Sequence, residues 1–412
     1  MERISQPVHA GILAALVGFT GSSAVVLTGL RAVGASPAQA ASGLIALCAI
    51  QGLGILWLSR RHRMPLTVAW STPGAAVLAS TGAVPGGWRA AVAAFLIMGG
   101  LILLTGLWPR LGAIIAAIPA PIAQAMLAGV VFQLCLEPVR GLAAHPAYVA
   151  PILLTWLVLL RFARKWAVPA AFAVTLVVVG IAAARGGGVH GALLPHLDWT
   201  TPDFTWAGLL SLALPLYVVT MAGQNVPGVA IMASYGYQVP WRETMTVTGI
   251  GTVAGALAGG HAINLAAITA GMAASPDADP DPGRRWIASF TAGWAYLVLG
   301  LLAAALTTYL SAAPADVTGA VAGLALLATL SASLSGALSA TEGREAAAIT
   351  FVVAASGLSF FGIGAAFWAL VAGLLVRAVL ARPAKPAPPA GPAEPAGPAA
   401  GPSRPEASAE AV

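Results

Sequence analysis

The feature that most constrains this chain is a succession of apolar runs, each close to 20 residues long, from residue 8 to residue 381. A run of that length, coiled as a helix, matches the hydrocarbon thickness of a bilayer. No water-facing core absorbs so many of them. Only 8% of the residues are charged, against about 25% in soluble domains, which excludes an ordinary soluble enzyme. The reading is an all-α polytopic membrane protein.

Fourteen runs can be delimited between polar or Gly/Pro breaks. The first seven cover 8–30, 38–58, 66–84, 88–108, 111–135, 147–163 and 167–185. The second seven cover 206–232, 242–258, 260–275, 285–310, 314–338, 344–362 and 363–381. The third and tenth are short and interrupted. The first run is read as a retained helix rather than a signal peptide, because Glu2 and Arg3 nearly cancel and the run extends past Val26.

Charge placement agrees with an even count. With both termini cytoplasmic, the inner loops hold Arg60, Arg61, Arg63, Arg110, Arg161, Arg164, Lys165, Arg242, Arg284, Arg285 and Arg344, and the outer loops only Arg31, Arg89, Arg140 and Arg185. That asymmetry follows the positive-inside rule. The net charge of +6 is therefore topological and implies no nucleic-acid partner. Lys165 and Lys385 are the only lysines and no G-x-x-x-x-G-K-[ST] occurs, so the chain has no Walker-type ATP site. Cys48 and Cys135 lie in apolar runs and read as small packing residues. No cofactor or metal site is expected, nor an enzyme, since no spacing joins a nucleophile to a base.

Seven plus seven runs invite a repeat. Gly21 and Gly34 recur 202 residues later as Gly223 and Gly236, Ile118-Pro-Ala-Pro resembles Ala313-Pro-Ala-Asp, and Arg89 has a counterpart in Arg285. Their common order points to a 7+7 inverted repeat, with halves 1–187 and 188–381. The Pro/Ala-rich stretch 382–412 reads as a disordered cytoplasmic tail.

The chemistry concentrates in the interrupted runs. Run three opens with Trp70, Ser71, Thr72, Pro73 and Gly74; run ten opens with Gly259-Gly-His-Ala-Ile-Asn. Irregular backbone at membrane depth survives only where protein or a water cavity satisfies it, and in transporters such breaks mark the site. Half-helix N-termini near Ser71–Gly74 and His261–Asn264 would suit an anion. Gln224 and Asn225 in run eight, and Thr20, Gly21 and Ser22 in run one, add neutral donors, with Phe19 or Trp70 for an aromatic body. Gly251, Gly255 and Gly259 read as a helix-packing face. No Asp or Glu falls well inside these segments: Glu137, Glu243, Glu342 and Glu345 sit at run ends beside arginines. A carboxylate-free site favours an anionic substrate. His261 is the one histidine well inside a run, His9 standing at the very start of run one, and an imidazole titrates near neutrality, so it is the candidate for proton coupling.

These segments are familiar. Thr220-Met-Ala-Gly-Gln-Asn-Val-Pro-Gly, Gly259-Gly-His-Ala-Ile-Asn-Leu-Ala-Ala-Ile-Thr, and Glu342-Gly-Arg-Glu-Ala-Ala-Ala-Ile-Thr followed by Ser356-Gly-Leu-Ser-Phe-Phe-Gly-Ile-Gly resemble the benzoate/proton symporter family, with support from Trp70-Ser-Thr-Pro-Gly. The resemblance covers Met1 to Leu380. It implies a fold related to the nucleobase and sulfate transporters, with runs one to four and eight to eleven as a core domain and the rest as a gate. It also implies proton-coupled uptake of a small aromatic carboxylate across the bacterial inner membrane, in contact with membrane lipid. A homodimer is an expectation from fold analogy alone. Where nucleobase relatives carry acidic site residues, this chain offers Gln224, Asn225, His261 and Asn264. The alternatives are an anion channel or uniporter, or the same scaffold carrying another small organic or inorganic anion.

Overall fold

The computed structural model describes residues 2–186, 188–339 and 343–380. The 382–412 tail and Glu342 lie outside the described residues. Sixteen helices and two strands follow one another as α1 (Glu2–Ala32), α2 (Pro37–His62), β1 (Val68–Trp70), α3 (Thr72–Thr81), α4 (Gly87–Leu107), α5 (Pro109–Ala116), α6 (Ala120–Cys135), α7 (Glu137–Ala144), α8 (Pro146–Phe162) and α9 (Ala167–Arg185). After them come α10 (Trp206–Ser234), α11 (Trp241–Ala256), β2 (Ile263–Leu265), α12 (Ile268–Ala274), α13 (Trp286–Leu310), α14 (Ala315–Ala337), α15 (Arg344–Ala355) and α16 (Ala365–Leu380). Among the described residues, eight helical stretches are long and apolar enough to cross a membrane. The chain is a multi-pass membrane protein.

The fold is the helical one expected, and within it each interrupted run contributes a three-residue strand, β1 pairing antiparallel with β2 in the register Val68↔Leu265, Ala69↔Asn264, Trp70↔Ile263. Two expectations need correction. Run five divides at residues 117–119 into α5 and α6, where Pro119 and Pro121 disfavour a continuous helix. Run ten yields only the short α12, which starts at Ile268, so His261 and Asn264 precede it rather than cap it.

A two-stranded sheet inside a bilayer has two bare edges, and unpaired N–H groups there are costly. Side chains from three neighbouring helices close them. The Trp70 N–H donates to Gln51 Oε1 on α2 (2.8 Å), the Ile263 N–H to Thr252 Oγ1 on α11 (3.1 Å), and the Leu265 N–H to Asn225 Oδ1 on α10 (2.8 Å). All three side chains are fully buried. The polar residues that look anomalous in apolar helices are the edge caps of the sheet.

Run eight shows a related device. It continues as one helix through Pro215 and Pro227, but passes through π-helical turns over Leu209–Ala213 and Met221–Asn225. The N–H of Leu214 bonds Leu209 O and that of Val226 bonds Met221 O, each just before a proline. A proline ring collides with the carbonyl four residues back in a regular helix, and the wider turn relieves that clash.

Small residues set the helix spacing. A Cβ on Gly249 of α11 would lie 2.5 Å from the Leu103 N of α4, so those backbones touch. Gly251 and Gly255 likewise face Ile263 and Ile50 side chains, as the packing face read from the sequence requires, whereas Gly259 lies beyond the end of α11 at φ +90° and faces Trp88. Cys48 and Cys135 are buried and unlinked.

Contacts also sort by side. His62 meets Glu243 (2.9 Å) and Arg63 lies over Trp286 (4.7 Å), all groups from expected inner loops. Arg31 meets Ser311, Arg89 meets Thr201, and His145 meets Asp316, all from expected outer ends. This pairing follows the alternation derived from the arginine count.

Candidate functional site

A cavity of about 230 Å³ lies where the two interrupted runs meet. One wall comes from α1 (Gly18, Gly21, Ser22), β1 and the start of α3 (Trp70, Thr72), α10 (Gln224), the stretch 266–269 leading into α12, and Tyr296 of α13. The opposite wall is α9 (Val168, Pro169) and α14 (Ala325, Ala328, Thr329). The exposed Arg164 and Lys165, in the turn before α9, border it as well. The cavity therefore separates runs expected in a core from runs expected in a gate.

The first wall is aromatic and rigid. Trp70 is 3% exposed; its main-chain N–H is held by Gln51 and its indole N–H donates to Ser22 Oγ at 2.8 Å. Phe19 and Tyr296 meet its ring edge-to-face, each with centroids 5.9 Å away, a favoured geometry for ring quadrupoles. The order of these residues follows from the strand: β1 alternates its side chains, which sends Val68 and Trp70 to the same face.

The polar floor is unsatisfied by protein. The hydroxyls of Thr72, Thr269 and Tyr296 and the amide of Gln224 have no hydrogen-bond partner among the described residues. Of the first turn of α3, Pro73 has no N–H, the Gly74 N–H is taken by Ser71 Oγ (3.0 Å), and the Ala75 N–H by Ser71 O (2.8 Å). Only the Thr72 N–H is left for a ligand. Among the described residues, no Asp or Glu lines the cavity.

The residues expected from the sequence divide into two sets. Gly21, Ser22, Trp70, Thr72 and Gln224 line the cavity. Ser71, Pro73 and Gly74 stand behind it: Ser71 is fully buried, meets Thr220 Oγ1 at 2.6 Å and caps α3, while a Cβ on Gly74 would lie 2.8 Å from the Ser71 Oγ. Thr20 lies outside, its hydroxyl turned back to Leu16 O. Asn225, His261 and Asn264 are fully buried and outside the lining. Asn225 serves the sheet edge rather than a ligand. Asn264 Nδ2 donates to Leu265 O, and its Oδ1 has no partner.

His261 ties the two broken runs together. Its Nε2 lies 2.9 Å from Ser71 O; since a carbonyl only accepts, Nε2 carries the proton. Nδ1 is buried without a partner, and the ring packs edge-to-face on Phe95.

Sequence reading missed Tyr296, Thr269 and Thr329 as wall residues. Tyr296 carried no local signal, being one aromatic residue within a long apolar helix. Thr269 ends the motif of run ten, and its position five residues beyond Asn264 becomes informative only once α12 is known to start late.

The architecture defines a class. Over 91% of this chain and 98% of the other, it superimposes on the transmembrane domain of a cyanobacterial bicarbonate transporter, BicA, with a TM-score of 0.57 at 16% identity. This is a membrane-transporter fold. Within it, residues 3–379 match the family described as benzoate membrane transport protein, and the chain belongs to that family. It is 38% identical to the inner membrane protein YdcO of Escherichia coli K12 over 374 residues, covering 90% of this chain and 95% of that one. It is 29% identical to the benzoate membrane transport protein of Acinetobacter baylyi over 380 residues, covering 91% and 95%. It is a transporter and not an enzyme.

Proposed function

We propose that this protein imports benzoate or a similar aromatic carboxylate together with a proton across the bacterial inner membrane, by alternating access. The cavity is the observation that carries the reading. It pairs an aromatic wall with a carboxylate-free polar floor and two cationic side chains at its border. The ring lies against Trp70 and Tyr296; the carboxylate takes the hydroxyls of Thr72, Thr269 and Tyr296, the Gln224 amide and the Thr72 N–H. Arg164 and Lys165 raise the local anion concentration without a fixed ion pair. The name of the Acinetobacter relative supports the same substrate.

Movement of the β1/β2 unit and its helices against α9 and α14 exposes the cavity to either side in turn. Antiparallel pairing of strands from corresponding places supports an inverted repeat with halves 1–187 and 188–381. With both termini cytoplasmic, Arg164 and Lys165 border the cavity on its cytoplasmic side.

Labelled benzoate uptake into proteoliposomes, with potassium and valinomycin clamping the membrane potential, tests the proposal. Accumulation above equilibrium is expected only with an inward proton gradient. Equilibration without accumulation would identify a uniporter, and no flux would exclude benzoate as substrate.

The Tyr296→Phe variant isolates the floor. Its hydroxyl has no partner among the described residues, so stability is expected to stay unchanged while the KM for benzoate rises by about tenfold or more, the usual loss for a hydrogen bond to a charged group. An unchanged KM would remove Tyr296 from the carboxylate site.

A further inference from the structure

We propose that a second, lipid-selective site lies on the outer face of the α2–α13 pair and holds one anionic phospholipid. The two helices run antiparallel and touch at Gly52 and Gly293, where a Cβ on either would lie within about 3 Å of the other's carbonyl oxygen (2.9 and 3.0 Å). Larger side chains flank that contact and leave a valley of about 650 Å³ along it. Leu53, Trp57, Phe290 and Trp294 line it. Leu53, Trp57 and Trp294 are 58%, 59% and 55% exposed, so the valley is an open apolar trough and not a packed seam.

Arg60 and Arg61 close one end of the trough. The neighbouring basic groups are committed elsewhere, His62 to Glu243 and Arg63 to the Trp286 ring. Trp57 is itself fixed by its indole N–H on Glu243 Oε1 at 3.1 Å. Arg60 and Arg61 have no ion-pair or hydrogen-bond partner among the described residues. Two unpaired guanidinium groups above an apolar trough, at the end of a membrane helix, match a phosphate with an attached acyl chain. A free phosphate would use the arginines and leave the trough unexplained. The positive-inside arrangement puts this end at the cytoplasmic leaflet, where anionic headgroups are attracted to such groups.

Native mass spectrometry of the full-length detergent-purified chain tests the site, with phosphatidylglycerol and phosphatidylcholine as probes. The wild type is expected to retain one phosphatidylglycerol in preference to phosphatidylcholine. Each arginine is worth about fivefold in binding, so the Arg60→Gln/Arg61→Gln double variant should retain it about 25-fold more weakly. The exposed Arg377→Gln control should be unchanged. Phosphatidylglycerol carrying a photoreactive acyl chain should crosslink to the wild type at Leu53–Trp57 and Phe290–Trp294. Undiminished selectivity in the double variant, crosslinks confined to other helices, or displacement of the lipid by inorganic phosphate alone would each overturn the proposal.

Discussion

Replacing Asn225 with alanine is expected to cost the protein both transport and stability, although Asn225 does not line the cavity. Its Oδ1 is the acceptor for the Leu265 N–H at the edge of the sheet. Asn225 is fully buried, and Leu265 beside it admits no water. Removing the acceptor leaves a buried donor bare, at about 1–3 kcal/mol, and frees β2, which leads directly into the wall residues 266–269. A fluorescence melt of detergent-purified protein should show a clear fall in midpoint, and benzoate uptake should drop at least tenfold. Thr252→Ala should behave similarly at the Ile263 N–H, whereas Thr252→Ser keeps the acceptor and should restore both readouts. Wild-type melting of Asn225→Ala would show that the edge finds another partner.

The second large effect concerns His261. We propose it as the proton carrier, acting from behind the cavity wall: Nε2–H is committed to Ser71 O, and Nδ1 has no partner. A proton on Nδ1 would place a positive charge behind the segment that meets the carboxylate and so favour anion binding. Glutamine can supply an amide N–H where Nε2 stands, but it does not titrate. His261→Gln should therefore keep benzoate counterflow while losing accumulation driven by a proton gradient. His261→Ala should lose both and melt lower, because the bond joining the two broken runs is removed and Ser71 O keeps only the Ala75 N–H. Accumulation by His261→Gln at the wild-type level would make the residue a joint alone and move the proton elsewhere.

The contrast between Asn225 and Gln224 shows how far sequence reasoning reaches. Adjacent amides within an apolar run look equivalent, and both read as ligand contacts. Successive side chains of a helix point roughly 100° apart, and in the π-helical turn over Met221–Asn225 Gln224 meets the cavity while Asn225 meets the sheet. A winding change of one residue depends on the neighbouring proline and on what packs around it, and hydropathy carries neither. His261 and Asn264 were displaced for a similar reason. A Gly/Pro break announces irregular backbone, but whether that backbone forms a half-helix or a strand depends on a partner almost 200 residues away. Thr20 shows a third limit: a hydroxyl in a helix can bond its own preceding turn, and spacing alone does not exclude it.

The solvent of this protein is legible in its residues alone, because runs of bilayer length with few charges are stable in no other medium. Also legible in the sequence were the alternation of arginine-rich and arginine-poor ends, the two places where the backbone breaks, and the family, two of whose motifs fall at those breaks. These are local properties, each legible within some 20 residues. The tertiary structure alone decided that the breaks pair as strands, that Gln51, Thr252 and Asn225 close their edges, and that Trp70, Tyr296 and Thr269 enclose one cavity. In a bilayer the backbone must find its hydrogen bonds within the protein, and which side chain supplies each one is settled only when distant helices meet.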